Sequence, residues 1–582
     1  MTHPLRQSRS THAARGTSIE GHRAAIPLLL VFCALIYLPR LGAMPLWEPD
    51  EPRYAEVARE MLESGDFVTS RCDYVRYLKK PPLLFWMTAA SFALVGNTEF
   101  AARLPSALAG IGSAVVCYVL ARSMFGGLAG LFAGGILATS LLQFALARVV
   151  RFDGPLTLLV SLALLLFWLG HQEPDPRRAG RVFLAMYPVL ALAMLVKGPV
   201  GPGLVGLIVF IYLLATRNLR MIARMQLPLG LIIFAAIAAP WFVLAERANP
   251  GAARFFLLGE NVSRFTTGAG GHPAPVWFYV PVLLVGMFPW TGLLPAAIWH
   301  GIRCRRDDEP RRDNAAILCL TWAAVTVGFF SLSGSKVEAY VLPAWPALAA
   351  LSGSVLARFA QGQGPRGAWR WAYAASLGAV LALVLAAGIG GTIFVRSGSS
   401  VPSAAVPGLT AALLVPATIS GVLVLAALFT RRVSAFVLMT AALGGLMVAL
   451  AGVMVSVGAE RSLKPLALRA KAELRRDDLL VAYQCIERDL CYYAEHPLVV
   501  VGGAPSEFDF DRDGARRDDM WVPEPARMLD LLRSAKRVLA FSPRRDYGEL
   551  RSDYDGPLYV LDERNGIILF SNRPPRYAGT RE

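Results

Sequence analysis

Apolar runs of membrane length recur along most of this chain, and no other feature limits its fold so strongly. A helix needs roughly 20 apolar residues to cross a hydrocarbon core of about 30 Å. Such runs fall near residues 25–42, 103–123, 128–147, 154–170, 182–197, 199–215, 226–245, 276–299, 313–332, 339–357, 371–394, 406–429 and 434–457. The pattern predicts a polytopic, all-α membrane protein of about thirteen transmembrane helices. Composition agrees, at 55% hydrophobic residues and a mean hydropathy of +0.47.

A net charge of +16 raises the question of a nucleic-acid partner. The placement of the charge argues against one. Most Arg clusters lie in short loops between apolar runs, where the positive-inside rule accounts for them. The N-terminal 24 residues carry Arg6, Arg9, Arg15 and Arg23. The run that follows lacks a small-residue cleavage site, which predicts a cytoplasmic tail over 1–24 and a retained signal anchor.

The stretch 82–96 is apolar but short, about 22 Å as a helix. If it does not cross, the Arg clusters at 177–181, 217–224, 303–312 and 431–432 all fall in the cytoplasm with the N-terminus. If it crosses, they all move outside. The positive-inside rule therefore predicts an interfacial helix at 82–96. The same register puts Asp50, Lys80, Asp153, Lys197, His272 and Lys336 together on the outer face. Ionisable residues at the ends of spans are costly and mark candidate functional sites.

Residues 47–83 carry the densest chemistry. Asp50 and Glu51 open a helix-like segment with Arg53 and Tyr54, and Lys79-Lys80-Pro81-Pro82 closes the loop. Acids at a helix start favour the macrodipole, and Asp50 has the position of an N-cap. Equally, Asp50 and Arg53 lie one turn apart and can address one ligand. The paired prolines fix the Lys80 ammonium in a way that suits a phosphate. Arg148, Arg151 and Asp153 form either a structural ion pair or a second acid at the cavity mouth. Lys197-Gly198-Pro199 breaks the chain between two apolar runs. His272 is a lone loop histidine. Ser331 to Lys336 is a hydroxyl-rich turn able to nest an anion, or an ordinary turn; it lacks the P-loop pattern. Glu338 and Tyr340 follow it.

From about Ala459 the pattern changes to short β-type runs at 479–483, 497–501, 537–541, 558–561 and 566–570. Helical stretches at 463–475 and 523–535 alternate with them, and Asn565-Gly566 predicts a tight hairpin. A small soluble α/β domain over 459–582 is expected, periplasmic if the span count is odd. Cys33, Cys117 and Cys319 lie in apolar runs as packing residues. Cys485 and Cys491 can pair if the tail is outside, and are free thiols otherwise. Gly130 and Gly134 have the spacing of a helix-packing face.

The motifs WEPDEPRYAEVAREML, YLKKPPLLFW, EFAARLPSALAG, RFDGPLTL, LVKGPVG, the FF…H…P.WFY region and FFSLSGSK…AYVLP occur in that order. Together they resemble the GT-C membrane glycosyltransferases, and among them the 4-amino-4-deoxy-L-arabinose lipid A transferases, relatives of the protein O-mannosyltransferases. The resemblance runs from about residue 25 to 350 and more weakly into the tail. It implies a transmembrane GT-C catalytic domain over 25–458, with a periplasmic catalytic loop at 44–102, in a bacterial inner membrane. The implied reaction moves the sugar, with inversion, from polyprenyl (usually undecaprenyl) phosphate to a lipid A phosphate. Asp50 and Asp153 are the implied catalytic acids, and Arg53, Lys80 and Lys197 the donor-phosphate contacts. Glu51, Tyr54, Arg151, His272, Lys336, Glu338 and Tyr340 are further cavity candidates.

The chain departs from the family at Lys79, where relatives have Glu or Gly, and at Glu338, in Val-Glu-Ala-Tyr where relatives have Leu-Pro-Thr-Tyr. The motifs require no cofactor, and metal dependence is left unknown, with His272 the candidate ligand. The alternatives are another sugar, a protein or glycan acceptor, or a lipid transporter.

Overall fold

The computed structural model describes residues 16–267, 272–303, 310–362, 433–503, 509–510 and 520–576, with scattered positions between 378 and 426. Most of the expected spans at 371–394 and 406–429 lie outside the described residues, as do residues 1–15 of the N-terminal tail and Arg305, Arg306, Arg431 and Arg432.

The apolar runs form helices that pack side by side. In chain order these are α1 (Gly16–Tyr37), α2 (Asp50–Ser64), α3 (Leu83–Val95), α4 (Glu99–Phe125), α5 (Gly127–Thr139), α6 (Leu141–Leu146), α7 (Asp153–Gln172), α8 (Pro176–Lys197), α9 (Val200–Ala215) and α10 (Leu227–Ala248). Helices at Pro310–Leu332, Trp345–Ala360 and Val433–Arg461 follow. Among the described residues, six helices are long and apolar enough to cross a membrane, or seven if one bent pair counts as a span. On α10, Leu229, Leu231, Ile232, Val243 and Leu244 all face outward. In a helix this apolar, such a face is stable only against lipid. The chain is a multi-pass membrane protein.

Two expected spans differ from the hydropathy reading. The run 276–299 is not one helix: Val276–Gly286 and Trp290–Arg303 meet at 110°. The run 128–147 is split at Ser140 into α5 and α6. Apolar composition reports what surrounds a segment and says nothing of its direction. The stretch 82–96 contains α3, thirteen residues long, which at 1.5 Å each rise about 20 Å.

Close packing explains the glycines of α5. A Cβ on Gly130 would lie 2.7 Å from the Tyr118 carbonyl oxygen, and one on Gly134 would lie 2.8 Å from Leu29. Both glycines let α5 press against its neighbours. Across the bundle, Gly353 sits equally close to the backbone of Ala129 and Ala133.

The polar tail folds as a six-stranded sheet in the order β5-β4-β3-β6-β8-β7. The strands are β3 (Leu479–Tyr483), β4 (Leu498–Val501), β5 (Trp521–Val522), β6 (Val538–Pro543), β7 (Tyr559–Arg564) and β8 (Ile567–Ser571); β1 (Arg71–Cys72) and β2 (Val75–Arg76) form a small hairpin after α2. The first four strands of the sheet are parallel and the last two antiparallel. Asn565 and Gly566 form the β7–β8 turn, both at positive φ (52° and 79°), as a two-residue turn of this kind requires.

This sheet domain is fastened to the loops around α2. Leu46 N–H donates to the Tyr493 hydroxyl at 2.8 Å, Leu498 N–H to Asp73 Oδ1 at 2.9 Å, and Tyr492 hydroxyl to Asn97 at 2.8 Å. Cys485 and Cys491 are separate buried thiols. The Cys491 thiol lies 3.2 Å from Asp73 Oδ1 and 3.3 Å from Glu56 Oε1, while that of Cys485 faces the Phe541 carbonyl.

Candidate active site

Asp50 is the first residue of α2, and its side chain is not spent on capping that helix. It faces two guanidinium groups instead. Arg151 Nη2 reaches Asp50 Oδ2 at 2.8 Å, and Arg53 Nη1 reaches Oδ1 at 3.5 Å. The adjacent acid has a different task. Successive helix residues point about 100° apart, so Glu51 turns inward and is buried. Arg103 Nε and Nη2 bond its two oxygens at 2.9 and 2.7 Å, and Val150 N–H and Trp47 N–H complete the set. Arg103 also donates to the carbonyls of Leu41, Met44 and Pro45. Glu51 is thus the anchor of the loop ahead of α2.

Asp153 opens α7, and Lys197 closes α8. Lys197 Nζ forms a salt bridge with Asp153 Oδ1 and lies 4.3 Å from the centre of the Tyr340 ring. Gly198 makes this ending possible. Its φ is +71°, and a Cβ there would stand 2.6 Å from the Phe256 ring. Arg151 lies between the two acids, and both Asp50 and Asp153 act on its charge.

Lys80 precedes the Pro81-Pro82 start of α3. It lines a cavity with Lys79, Lys197, Glu260, Asn261, Arg264, Ser333, Ser335, Tyr340 and the rings of Phe256, Phe265, Phe329 and Phe330. Four cations and one acid give this cavity a positive lining. Burial, then the charges of Arg264 and Lys197, bring the Lys80 pKa down to about 8, with Glu260 and Asp153 pulling the other way. Such a cavity attracts an anion with an apolar attachment. Lys79 is engaged by Asp509, at 2.5 Å, with Glu260 at 4.0 Å.

The other candidates divide. Tyr54 is packed among rings, 5.0 Å from Phe152 and 6.0 Å from Phe85. Arg148 caps the end of α1, donating to the Tyr37 and Pro39 carbonyls. Lys336 is buried, and its Nζ donates to the Ser333 carbonyl at 2.6 Å within its own turn; Ser333 and Ser335, not Lys336, line the cavity. His272 is exposed and holds Lys336 N–H through its backbone carbonyl at 3.0 Å. Glu338 is exposed at the start of a 3-10 turn and acts on the charge of Arg151. Arg53 lines a separate pocket with Asp73, Glu487, Arg488 and Cys491. Asp50 does not line the Lys80 cavity; Arg151 links it to the Asp153–Lys197 pair.

Residues 79–243 match the family described as dolichyl-phosphate-mannose-protein mannosyltransferase. An undecaprenyl phosphate-alpha-4-amino-4-deoxy-L-arabinose arabinosyl transferase of Edwardsiella ictaluri is 31% identical over 331 residues, covering 57% of this chain and 59% of the relative. A second such transferase, from Sodalis glossinidius, is 33% identical over 339 residues, covering 58% and 60%. The alignments thus span about three fifths of these relatives' length. The crystal structure of ArnT from Cupriavidus metallidurans bound to undecaprenyl phosphate superposes with a TM-score of 0.82 at 26% identity, covering 94% of this chain and 98% of that one. The chain resembles the GT-C aminoarabinose transferases in sequence and in fold.

The residue that sequence reasoning missed is Arg264. It follows a π-helical segment, Phe255–Ser263, and pairs with Glu260 at 3.2 Å. Wide π turns recur at functional sites. Arg264 Nε is buried with no hydrogen-bond partner among the described residues. In the sequence, only the Glu260–Arg264 spacing hints at this placement.

Proposed function

We propose that this chain is a polyprenyl-phosphate-dependent glycosyltransferase that moves 4-amino-4-deoxy-L-arabinose from undecaprenyl phosphate to lipid A phosphate. The observation that carries the reading is the cation-lined cavity of Lys80, Lys197 and Arg264, walled by aromatic rings, in a fold similar to one crystallised with undecaprenyl phosphate. Inner-membrane residence, thirteen spans, a periplasmic active site on the 44–102 loop and a periplasmic domain over 459–582 belong to the same reading.

In this scheme Lys80, Lys197 and Arg264 stabilise the charge that grows on the leaving phosphate. Such contacts weigh more in a partly dry cavity than in water. The bond from the anomeric carbon to the donor phosphate oxygen breaks as an acceptor oxygen attacks from the opposite face. Asp153 holds Lys197 in place. Asp50 and Arg151 position the acceptor, and an acceptor phosphate, already ionised, needs little proton removal. Arg53 supports the site through its pairing with Asp50. Exposed Glu338 near Arg151 favours a second reading with the same chemistry and a different acceptor, a protein hydroxyl or glycan, or a different sugar.

The test uses purified full-length protein with synthetic polyprenyl-phosphate aminoarabinose and lipid A. Release of polyprenyl phosphate with a matching gain on lipid A supports the reading. Sugar-lipid counterflow in sealed vesicles without transfer would instead identify a transporter.

A further inference from the structure

Three acids outside the transfer site meet where the sheet domain touches the loop ahead of α2. Glu48 lies two residues before Asp50, while Glu487 and Asp489 belong to the sheet domain. One ligand oxygen of each lies within 4.8 Å of the other two. Among the described residues, no other group of three His, Cys, Asp or Glu side chains is this close.

Carboxylates brought together out of water need a counter-charge or protons. Protein donors meet only part of the need. Asp489 N–H donates to Glu48 Oε1, and Leu463 N–H donates to Asp489 Oδ2 at 3.1 Å. Arg488 Nη1 forms an ion pair with Glu48 Oε2 at 3.9 Å, longer than a hydrogen bond. Asp489 is 2% exposed, yet its Oδ1 has no donor among the described residues. Burial, and then the charge of Asp489, raises the Glu48 pKa, and burial raises that of Asp489. Among the described residues Arg488 brings one positive charge to three carboxylates, acting on both Glu48 and Glu487, and the junction they share joins two parts of the fold.

We propose that Glu48, Glu487 and Asp489 bind a hard divalent cation, with Ca²⁺ the best fit, which ties the sheet domain to the loop carrying Asp50. An all-oxygen set suits Ca²⁺ or Mg²⁺. Ca²⁺ takes oxygens at about 2.3–2.6 Å in flexible geometry, whereas Mg²⁺ demands a tighter shell of about 2.0–2.1 Å. One acid on the loop and two on the sheet domain, held by separate parts of the fold, suit the flexible shell better than the strict one. Water fills the remaining positions. The bound ion would take up Asp489 Oδ1 and hold all three acids ionised. The proposal is independent of the transfer chemistry, since none of the three touches the Lys80 cavity.

The test uses full-length protein stripped with chelator, then dialysed against radioactive Ca²⁺, with thermal unfolding followed in parallel. One saturable Ca²⁺ per chain and a higher melting temperature with Ca²⁺ are expected. Glu487→Gln, at a half-buried position, is expected to weaken Ca²⁺ binding by at least about tenfold while melting near the stripped wild type. Glu48→Gln gives the same loss from the other side of the junction. Absence of saturable binding at millimolar Ca²⁺ overturns the proposal. So does wild-type affinity in both variants, or a stripped protein that is stabilised by acid but not by Ca²⁺, which would show protons neutralising the cluster.

Discussion

Arg151 holds Asp50 at 2.8 Å, joining the acid that opens α2 to the segment that opens α7. Because Asp153 acts on the same guanidinium, the two acids are coupled through Arg151, not by direct contact. Changing either partner of the Arg151–Asp50 pair should disturb the same step. Asp50→Asn is expected to lower kcat by about 10²-fold, the cost of a misplaced acceptor, and Arg151→Ala by less. The double variant should be little worse than Asp50→Asn alone. Steady-state kinetics of the three proteins check this, and near-normal turnover in Asp50→Asn would contradict a central role for that acid.

Arg264 separates the cavity seen in the structure from the set of residues expected from motifs. Arg264→Ala should raise the donor KM by about 10–100-fold, the worth of a charge-assisted hydrogen bond. Arg264→Lys should recover part of the loss. Unchanged donor KM in Arg264→Ala would remove it from the phosphate site.

Lys80 gives a pH dependence of definite sign. Its pKa is about 8 in the fold and about 10.4 in an unfolded chain. Between these values the unfolded chain binds the proton that the folded one releases, so this group adds stability as pH rises through the window. Activity should run the other way, because the phosphate contact needs the charged ammonium. The kcat/KM of wild type should fall above about pH 8. Lys80→Arg, whose charge persists past pH 12, should lose that alkaline limb even if its absolute rate is lower. An identical limb in both proteins would assign it elsewhere.

The Glu51–Arg103 pair predicts a stability effect distinct from catalysis. Both side chains are almost fully buried, at 3% and 1% exposure. Glu51→Gln leaves the Arg103 charge without its partner, a loss of about 3–5 kcal/mol. Glu63→Gln, at an exposed carboxylate paired with Arg59, should cost at most about 1 kcal/mol. Thermal unfolding in detergent distinguishes them, and equal melting temperatures would contradict the anchoring role of Glu51.

Glu51 also shows why part of the site was hidden in the sequence. Two adjacent acids are equivalent in a linear reading, and only the helix rotation decides that Asp50 meets Arg151 while Glu51 meets Arg103. Lys80 and Lys197 were legible because prolines and a glycine beside them mark fixed, broken backbone. Arg264 was not, since nothing local separates it from other arginines and its place depends on the π turn before it. In the tail, short β-type runs and Asn565-Gly566 were enough to foresee β7 and β8. The two-residue strand β5 was too short to carry a pattern. The bend within 276–303 escaped because both of its arms are apolar.

Mass spectrometry of lipid A from cells with and without this chain tests the central claim most directly. The account predicts a pentosamine-sized increment on lipid A phosphate that appears with the wild-type chain and is lost with Lys80→Ala. Lipid A of identical mass in cells with and without the chain, where the polyprenyl-linked aminosugar is present, would contradict it.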